Sequence, residues 1–254
     1  MKSLLLVITF IFSLIKIEAQ IVATSSSELY IDSLGWQGKV DLYIYNTQNV
    51  SNVFNLIAGS QFQHLKGRHR FLSVNAITQI IVRSDGKESD DDKGVQHLRY
   101  NYIINKRWEL ESFAQAQYNE PLRISFRGLL GIGGRMVFHK NEKDYFYMGF
   151  GPMFDHEKEI GNGIITNELR ANSYIALKRV FNEKFSSVLN FYYQPQFVLL
   201  SDYRISVGGS LKIKATKHIG LKTVLNLNYD STPVVDPDIL NFTYTFMTGF
   251  FYKF

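Results

Sequence analysis

From Trp36 to the last residue, apolar and polar side chains alternate one by one, segment after segment. Neighbouring side chains of an extended backbone point to opposite faces, so a period of two makes a ribbon with one apolar face, whereas an amphipathic helix needs a period near 3.6. The stretch WQGKVDLYIYN sets Trp36, Gly38, Val40, Leu42 and Ile44 against Gln37, Lys39, Asp41, Tyr43 and Tyr45. In HLRYNYII, Leu98, Tyr100, Tyr102 and Ile104 oppose His97, Arg99, Asn101 and Ile103. WELESFAQAQYN sets Trp108, Leu110, Ser112, Ala114, Ala116 and Tyr118 against Glu109, Glu111, Phe113, Gln115, Gln117 and Asn119. LRISFRGLLGIGGRMVF puts Leu122, Ile124, Phe126, Leu130, Ile132, Met136 and Phe138 on one side and Arg123, Ser125, Arg127 and Arg135 on the other. The pattern returns in ITNELRANSYIALK, YRISVGGSLKIK and IGLKTVLNLNYD, whose polar side carries Glu168, Arg170, Lys178, Arg204, Lys212, Lys214 and Lys222.

With further segments near 52–64, 69–83, 144–156 and 184–197, and a last one at the C-terminus, the count is about twelve strands. Many exceed the roughly five or six residues of an ordinary globular strand. The connections sort by parity. KGRH, INKR, KNEKD, FNEK and ATKH, after even-numbered strands, are short and turn-like, whereas RSDGKESDDDKG, DHEKEIGNGII and DSTPVVDPD, after odd-numbered strands, are longer and polar. Short turns at one end of a meander and long loops at the other are the layout of an outer-membrane barrel, with the short turns periplasmic. An even strand count puts both termini at that end.

The first residues, MKSLLLVITFIFSLIKIEAQ, combine Lys2, an apolar run from Leu4 to Ile15 and the small residue Ala19. This is the pattern of a secretory signal peptide cleaved after Ala19. The run falls short of the roughly 20 residues a spanning helix needs. The expected organisation is a signal peptide at 1–19, a short periplasmic N-terminal segment at 20–34 and a barrel at 35–254. The absence of cysteine removes disulfides, thiolate metal sites and cysteine nucleophiles. The formal charge of +5 comes without a basic helix or an RNA-binding box, so no nucleic-acid partner is expected.

Alternation alone suits a soluble sandwich as well as a membrane barrel. Three features favour lipid. The polar face carries glycines, asparagines, glutamines and aromatics besides its charges, a mixture suited to a crowded lumen. Trp36, Trp108, Tyr118, Phe138, Tyr203, Tyr229, Tyr252 and Phe254 stand near strand ends, where aromatic girdles would lie. A dozen strands in hydrocarbon must also close, because an open edge would leave backbone groups without partners. The fold class expected is therefore all-β: a closed antiparallel up-and-down transmembrane β-barrel of about 12 strands, exported to the outer membrane.

The ending NFTYTFMTGFFYKF resembles the C-terminal signal of outer-membrane barrels. That resemblance implies recognition by the barrel-assembly machinery, with Phe250, Tyr252 and Phe254 as the positions read. A second resemblance covers Trp108 to Phe138. It is similar to the central hairpin of the salt-induced outer-membrane protein family, a group of unknown function in which F-x-Q-x-x-x-N leads into R-x-x-L-G-x-G-x-G. Phe113, Gln115, Asn119, Arg127, Leu130, Gly131 and Gly133 supply the matching residues, and Gly134 and Arg135 depart where the third glycine and its neighbour would fall. The resemblance implies a location and a fold and lends no reaction.

The same hairpin holds the best chemical constellation. Pairing Tyr118 with Leu122 would set Gln117 opposite Arg123, Phe113 opposite Arg127 and Glu111 diagonal to Arg127. The candidate lumen charge network is Glu109, Glu111, Arg123, Arg127, Arg135, Glu168, Arg170, Lys212 and Lys222, read as an ion-pair lattice in preference to a substrate site. Its basic excess, extended by Arg99, Lys178, Arg204 and Lys214, points to anion preference in any open bore. His97 beside Arg99 reads as part of this network. His156 falls in an outer loop, and no GxSxG motif is present. The acidic stretch from Ser84 to Gly94 reads as a solvated outer loop because it lacks the D-x-D-x-D-G register of a calcium site. Catalysis, metals and cofactors are not expected. The expected partners are outer-membrane lipids and lipopolysaccharide, and the expected role is structural or pore-like. Two rivals stay open: an interfacial lipid-modifying enzyme and a soluble periplasmic ligand-binding β-protein.

The mass of the exported protein is expected to correspond to a chain starting at Gln20, and a mass retaining residues 1–19 would contradict the leader.

Overall fold

The computed structural model describes residues 34–48, 52–84, 87–141, 143–216, 219–234 and 239–252. The leader at 1–19, nearly all of the 20–34 segment and Phe254 lie outside the described residues. Twelve strands follow one another: β1 (Gly35–Gln48), β2 (Asn52–Lys66), β3 (His69–Ser84), β4 (Lys87–Ile103), β5 (Trp108–Asn119), β6 (Ile124–Lys140), β7 (Tyr145–Glu159), β8 (Ile165–Val180), β9 (Phe185–Pro195), β10 (Tyr203–Lys214), β11 (Ile219–Asp230) and β12 (Phe242–Tyr252). They form one antiparallel sheet in sequence order, each strand paired with the next, so the all-β up-and-down meander of twelve strands is the observed architecture. Within it β1 and β12 occupy the two ends of the order.

Three of the short turns share one device. The side-chain oxygens of Asn105, Asn141 and Asn182 each accept the backbone N–H groups two and three residues on, at 2.7–3.0 Å. An asparagine that caps its own turn reverses the chain without glycine. The β2–β3 turn instead uses Gly67 at φ 59°, where a Cβ would be strained.

The sheet is inside out by the standard of a water-soluble protein. Its largest fully buried side chains are Arg70, Arg127, Arg135 and Arg170, while Ile132 and Phe150 stay 65% and 63% exposed. Buried arginine and exposed contiguous hydrophobics are each informative departures from the usual distribution. The buried face is the concave one. On a flat sheet, four strand spacings of about 4.8 Å would hold β4 and β8 about 19 Å apart. The guanidinium of Arg99 on β4 nevertheless sits 5.6 Å from the ring centre of Tyr174 on β8.

Tight backbone contacts support this curl. A Cβ on Gly149 would lie 2.1 Å from the Tyr174 ring, and one on Gly131 2.3 Å from Phe113, so each glycine is the floor on which a neighbour's aromatic ring lies. Between β6 and β7 the backbones themselves crowd, and a Cβ on Gly151 would come within 1.9 Å of the Ile132 carbonyl oxygen.

Several expectations need correction. The β5–β6 register is shifted by four residues: Gln117 faces Arg127, Phe113 faces Gly131 and Glu109 faces Arg135. The cause is a 3₁₀ turn at Glu120–Leu122, entered at Pro121 and closed by Arg123 in the left-handed region at φ 58°, which takes up residues a tight hairpin would have given to the strands. The phase of side chains slips with it. Leu122 and Ile124 are buried instead of facing outward, Arg123 is exposed, and irregular pairing at Ile124/Phe126 restores the alternation. The acidic stretch is not a loop: β3 and β4 run on through it, with only residues 85–86 between them. Gln79 donates to the Asp92 carboxylate at 3.3 Å, and the Asp92 N–H donates to Glu120. Asp155, His156 and Glu157 also belong to a strand, β7, because the alternation continues through them despite a loop-like composition.

Gly151→Ala is expected to destabilise the fold by about 1–3 kcal/mol or more, whereas Gly134→Ala, with no atom near the new methyl, should change stability by less than about 0.5 kcal/mol. Urea unfolding of the detergent-folded protein measures both.

Candidate functional site

The polar interior consists of two ion-pair clusters joined by a band of amides and aromatics. The first lies toward the end of the even-numbered turns. Arg70 on β3 donates to both carboxylate oxygens of Glu109 on β5, at 3.1 and 3.2 Å. Arg135 on β6 reaches Glu109 at 3.3 Å and Glu111 at 2.6 Å. Its Nε also donates at 2.7 Å to the Tyr174 hydroxyl, which passes a hydrogen bond on to Glu111 at 2.9 Å. The Arg135 guanidinium lies over Tyr147 and Tyr174, and Arg99 over Phe113 and Tyr174. A cation held over a ring face is attracted to its quadrupole, most strongly where water is excluded.

The second cluster lies toward the opposite end and centres on Asp155 of β7. Arg127 on β6 grips it with two hydrogen bonds, at 2.9 and 2.6 Å, and Arg204 on β10 reaches it at 2.6 Å. Arg170 on β8 approaches it at 3.7 Å. The same arginines hold further carboxylates: Arg204 holds Asp230 at 2.7 Å and Glu157 at 3.2 Å, and Arg170 holds Asp202 at 2.8 Å together with Glu168. Charge-assisted pairs of this geometry are the strong ones, and they suit arginine because its planar fork matches a carboxylate.

Between the clusters His97 is buried flat against Phe113, with its Nδ1 2.9 Å from the Gln115 amide oxygen. Gln115 donates to Gln117, and Gln194 donates to Asn172.

The structure brings Glu109, Glu111 and Arg135 together in one cluster and Arg127, Glu168 and Arg170 in the other. It places Arg123 on the surface beside the 3₁₀ turn. Lys212 and Lys222 face each other across β10 and β11, partly exposed. Phe250 pairs with Leu221 and Tyr252 with Ile219 along β11, and Phe254 lies outside the described residues. Sequence reasoning missed Arg70, Asp155, Glu157, Asp202 and Asp230. The parity of PMFDHEKE carried the signal for two of them, since Met153, Asp155 and Glu157 share a face.

These additions change the electrostatics. Among the described residues the buried charges number seven basic (Arg70, Lys93, Arg99, Arg127, Arg135, Arg170 and Arg204) and seven acidic (Glu109, Glu111, Asp155, Glu157, Glu159, Asp202 and Asp230). Among these buried charges neither sign is in excess.

Residues 46–254 match the family described as "Protein of unknown function, DUF481". No similar curated protein is found. Two solved structures are similar at 10% identity. One is the beta domain of the Bordetella autotransporter BrkA, with a TM-score of 0.37, covering 86% of this chain and 98% of that one. The other is the TodX monoaromatic hydrocarbon channel as a deltaS2 mutant, with a TM-score of 0.40, covering 87% and 81%.

Asp155→Asn would leave three buried arginines short of their shared counter-charge, and removing one partner of a buried pair costs about 3–5 kcal/mol. Arg123→Ala, at the exposed turn, should stay within about 0.5 kcal/mol. Equilibrium unfolding of both variants in micelles is the check.

Proposed function

This chain belongs to the DUF481 family of proteins of unknown function, and we propose that it is an outer-membrane protein whose sheet closes into a barrel through pairing of β1 with β12. The observation that carries this reading is the inverted polarity of the sheet. A wall that buries arginines and presents isoleucine and phenylalanine outward is stable where the outer medium is hydrocarbon. Closure follows from the same medium, because edge N–H and C=O groups in lipid have no water to bond. The leader at 1–19 supports export, and the terminal stripe of Phe250, Tyr252 and Phe254 supports insertion by the barrel-assembly machinery. Outer-membrane lipids and lipopolysaccharide are then its immediate neighbours.

The role we assign is structural and non-catalytic: a barrel whose interior is obstructed by an internally paired ion lattice and passes at most small solutes. Two clusters of paired, dehydrated charges fill the space between β3 and β11, which supports a narrow or closed bore over a wide one. The resemblance to the salt-induced family supports service in envelope integrity under osmotic change.

Membrane residence is tested by alkaline carbonate extraction of washed envelopes, where release into the supernatant would favour a soluble protein and overturn the reading. In planar bilayers the unaltered protein is expected to conduct weakly. Arg135→Ala, which removes the group bridging Glu109, Glu111 and two tyrosines, is expected to raise single-channel conductance. Large conductance in the unaltered protein would contradict the obstructed interior.

A further inference from the structure

The connection between β9 and β10 carries four consecutive apolar residues in the open. Phe197, Val198, Leu199 and Leu200 are 47%, 90%, 53% and 67% exposed. An outward-facing connection in water is ordinarily polar, and this one has no charge until Asp202. Its base is pinched: the Gln196 N–H donates to the Asp202 carbonyl at 2.8 Å, and the Asp202 N–H donates to the Leu199 carbonyl at 2.8 Å. The Asp202 side chain turns inward to Arg170, and the Phe197 N–H is bonded to the Leu169 carbonyl on β8. The loop is thus a closed, tethered knuckle whose polar foot is anchored in the lattice and whose apolar tip is turned away from it.

The level of the knuckle is set by the aromatic residues around it. Tyr193 near the end of β9, Tyr203 at the start of β10 and Tyr229 on β11 cluster on the outer face, Tyr193 tilted against Tyr203 with ring centres 5.9 Å apart and Tyr203 stacked on Tyr229 at 5.7 Å. At the other end of β9, Phe181 and Phe185 stack at 4.9 Å. From Phe185 to Tyr193 the strand advances roughly 27 Å at about 3.4 Å per residue, which at a barrel strand's tilt of about 35–45° is roughly 20 Å along the membrane normal, most of an apolar band about 25 Å tall bounded by aromatic girdles. The tyrosine cluster then marks the outer interface, and the knuckle begins within a few residues of it, continuous with Leu169 and the outward side of β9.

Resting on the membrane reading above, we infer that Phe197–Leu200 is an interfacial anchor, folded onto the outer leaflet with its apolar side chains among the lipid chains just below the headgroups. Shallow burial of an uncharged apolar segment beside a tyrosine belt is how interfacial elements hold to a bilayer. The anchor fixes the outer end of β9 and β10 to the membrane surface and, through Asp202 and Arg170, ties it to the second ion-pair cluster.

The chain has no cysteine, so single probes are simple to place. In the full-length protein folded and reconstituted into phosphatidylcholine vesicles, an environment-sensitive fluorophore on Val198→Cys is expected to be blue-shifted, shielded from aqueous iodide, and quenched more by doxyl-lipid labelled near the headgroup than near the chain end. Leu200→Cys serves as a second position should Val198→Cys fail to fold, as judged by heat-modifiable migration. Leu189→Cys on the wall of β9 is the control for membrane residence and should be quenched by deep doxyl labels. Iodide-accessible loop probes beside a lipid-quenched wall probe would overturn the anchor alone. Loop probes shielded from both quenchers would mean that a protein surface or a second copy covers the knuckle, and would also overturn it. A wall probe that doxyl-lipids do not quench would overturn the membrane reading itself.

Discussion

An arginine side chain can leave water only in the company of a carboxylate, and that condition organises this protein. Four of its largest buried side chains are arginines. Arg127 and Arg135 meet acids on adjacent strands, but the longer-range contacts form only because the sheet bends hard enough to bring distant strands together: Arg204 on β10 reaches Asp155 on β7, and Tyr174 on β8 reaches Glu111 on β5. Curl and charge pairing are therefore one phenomenon. A flatter sheet would part Arg204 from Asp155 and Tyr174 from Glu111, and an interior without these groups would lose the contacts that hold the curl. Such pairs add little net stability over an apolar filling, but they are demanding about geometry and so fix one register among many.

Glycine and aromatic residues give the bend its local form. Where Gly131 and Gly149 expose bare backbone, Phe113 and Tyr174 lie flat against it, and these rings in turn receive the guanidinium groups of Arg99 and Arg135. Gly133 and Gly151 let two backbones approach at the place where β7 carries Pro152, which has no N–H to contribute. The crowded β6–β7 wall thereby supports both clusters, with Arg127 and Arg135 on one strand and Asp155 on the other.

Much of this was legible in the chain. The parity of the side chains predicts the apolar and polar faces of β5, and of β4 from His97 on, residue by residue, and the asparagine in each of INKR, KNEKD and FNEK marks a turn that forms where expected. Composition misled where it was weighed above parity. The run DHEKE looks like loop because it is acidic, yet its alternation is intact, and Asp155 inside it is the centre of a cluster. The acidic hairpin of β3 and β4 hid in the same way. The slip between β5 and β6 came from the opposite cause: a local 3₁₀ turn and an arginine in a left-handed conformation interrupt the period over a few residues, and alternation carries no record of such an interruption.

The sequence by itself determined the approximate number of strands, their order and the face most of their residues show, because these depend on neighbours along the chain and on a period of two. Only the tertiary structure decided which arginine serves which carboxylate, that the buried charges among the described residues balance, and where the β9–β10 knuckle sits. Those outcomes include contacts between side chains three or four strands apart that meet across the concave face. That distance is set by curvature, shear and bulges summed over the whole sheet, and no local stretch of sequence contains the sum.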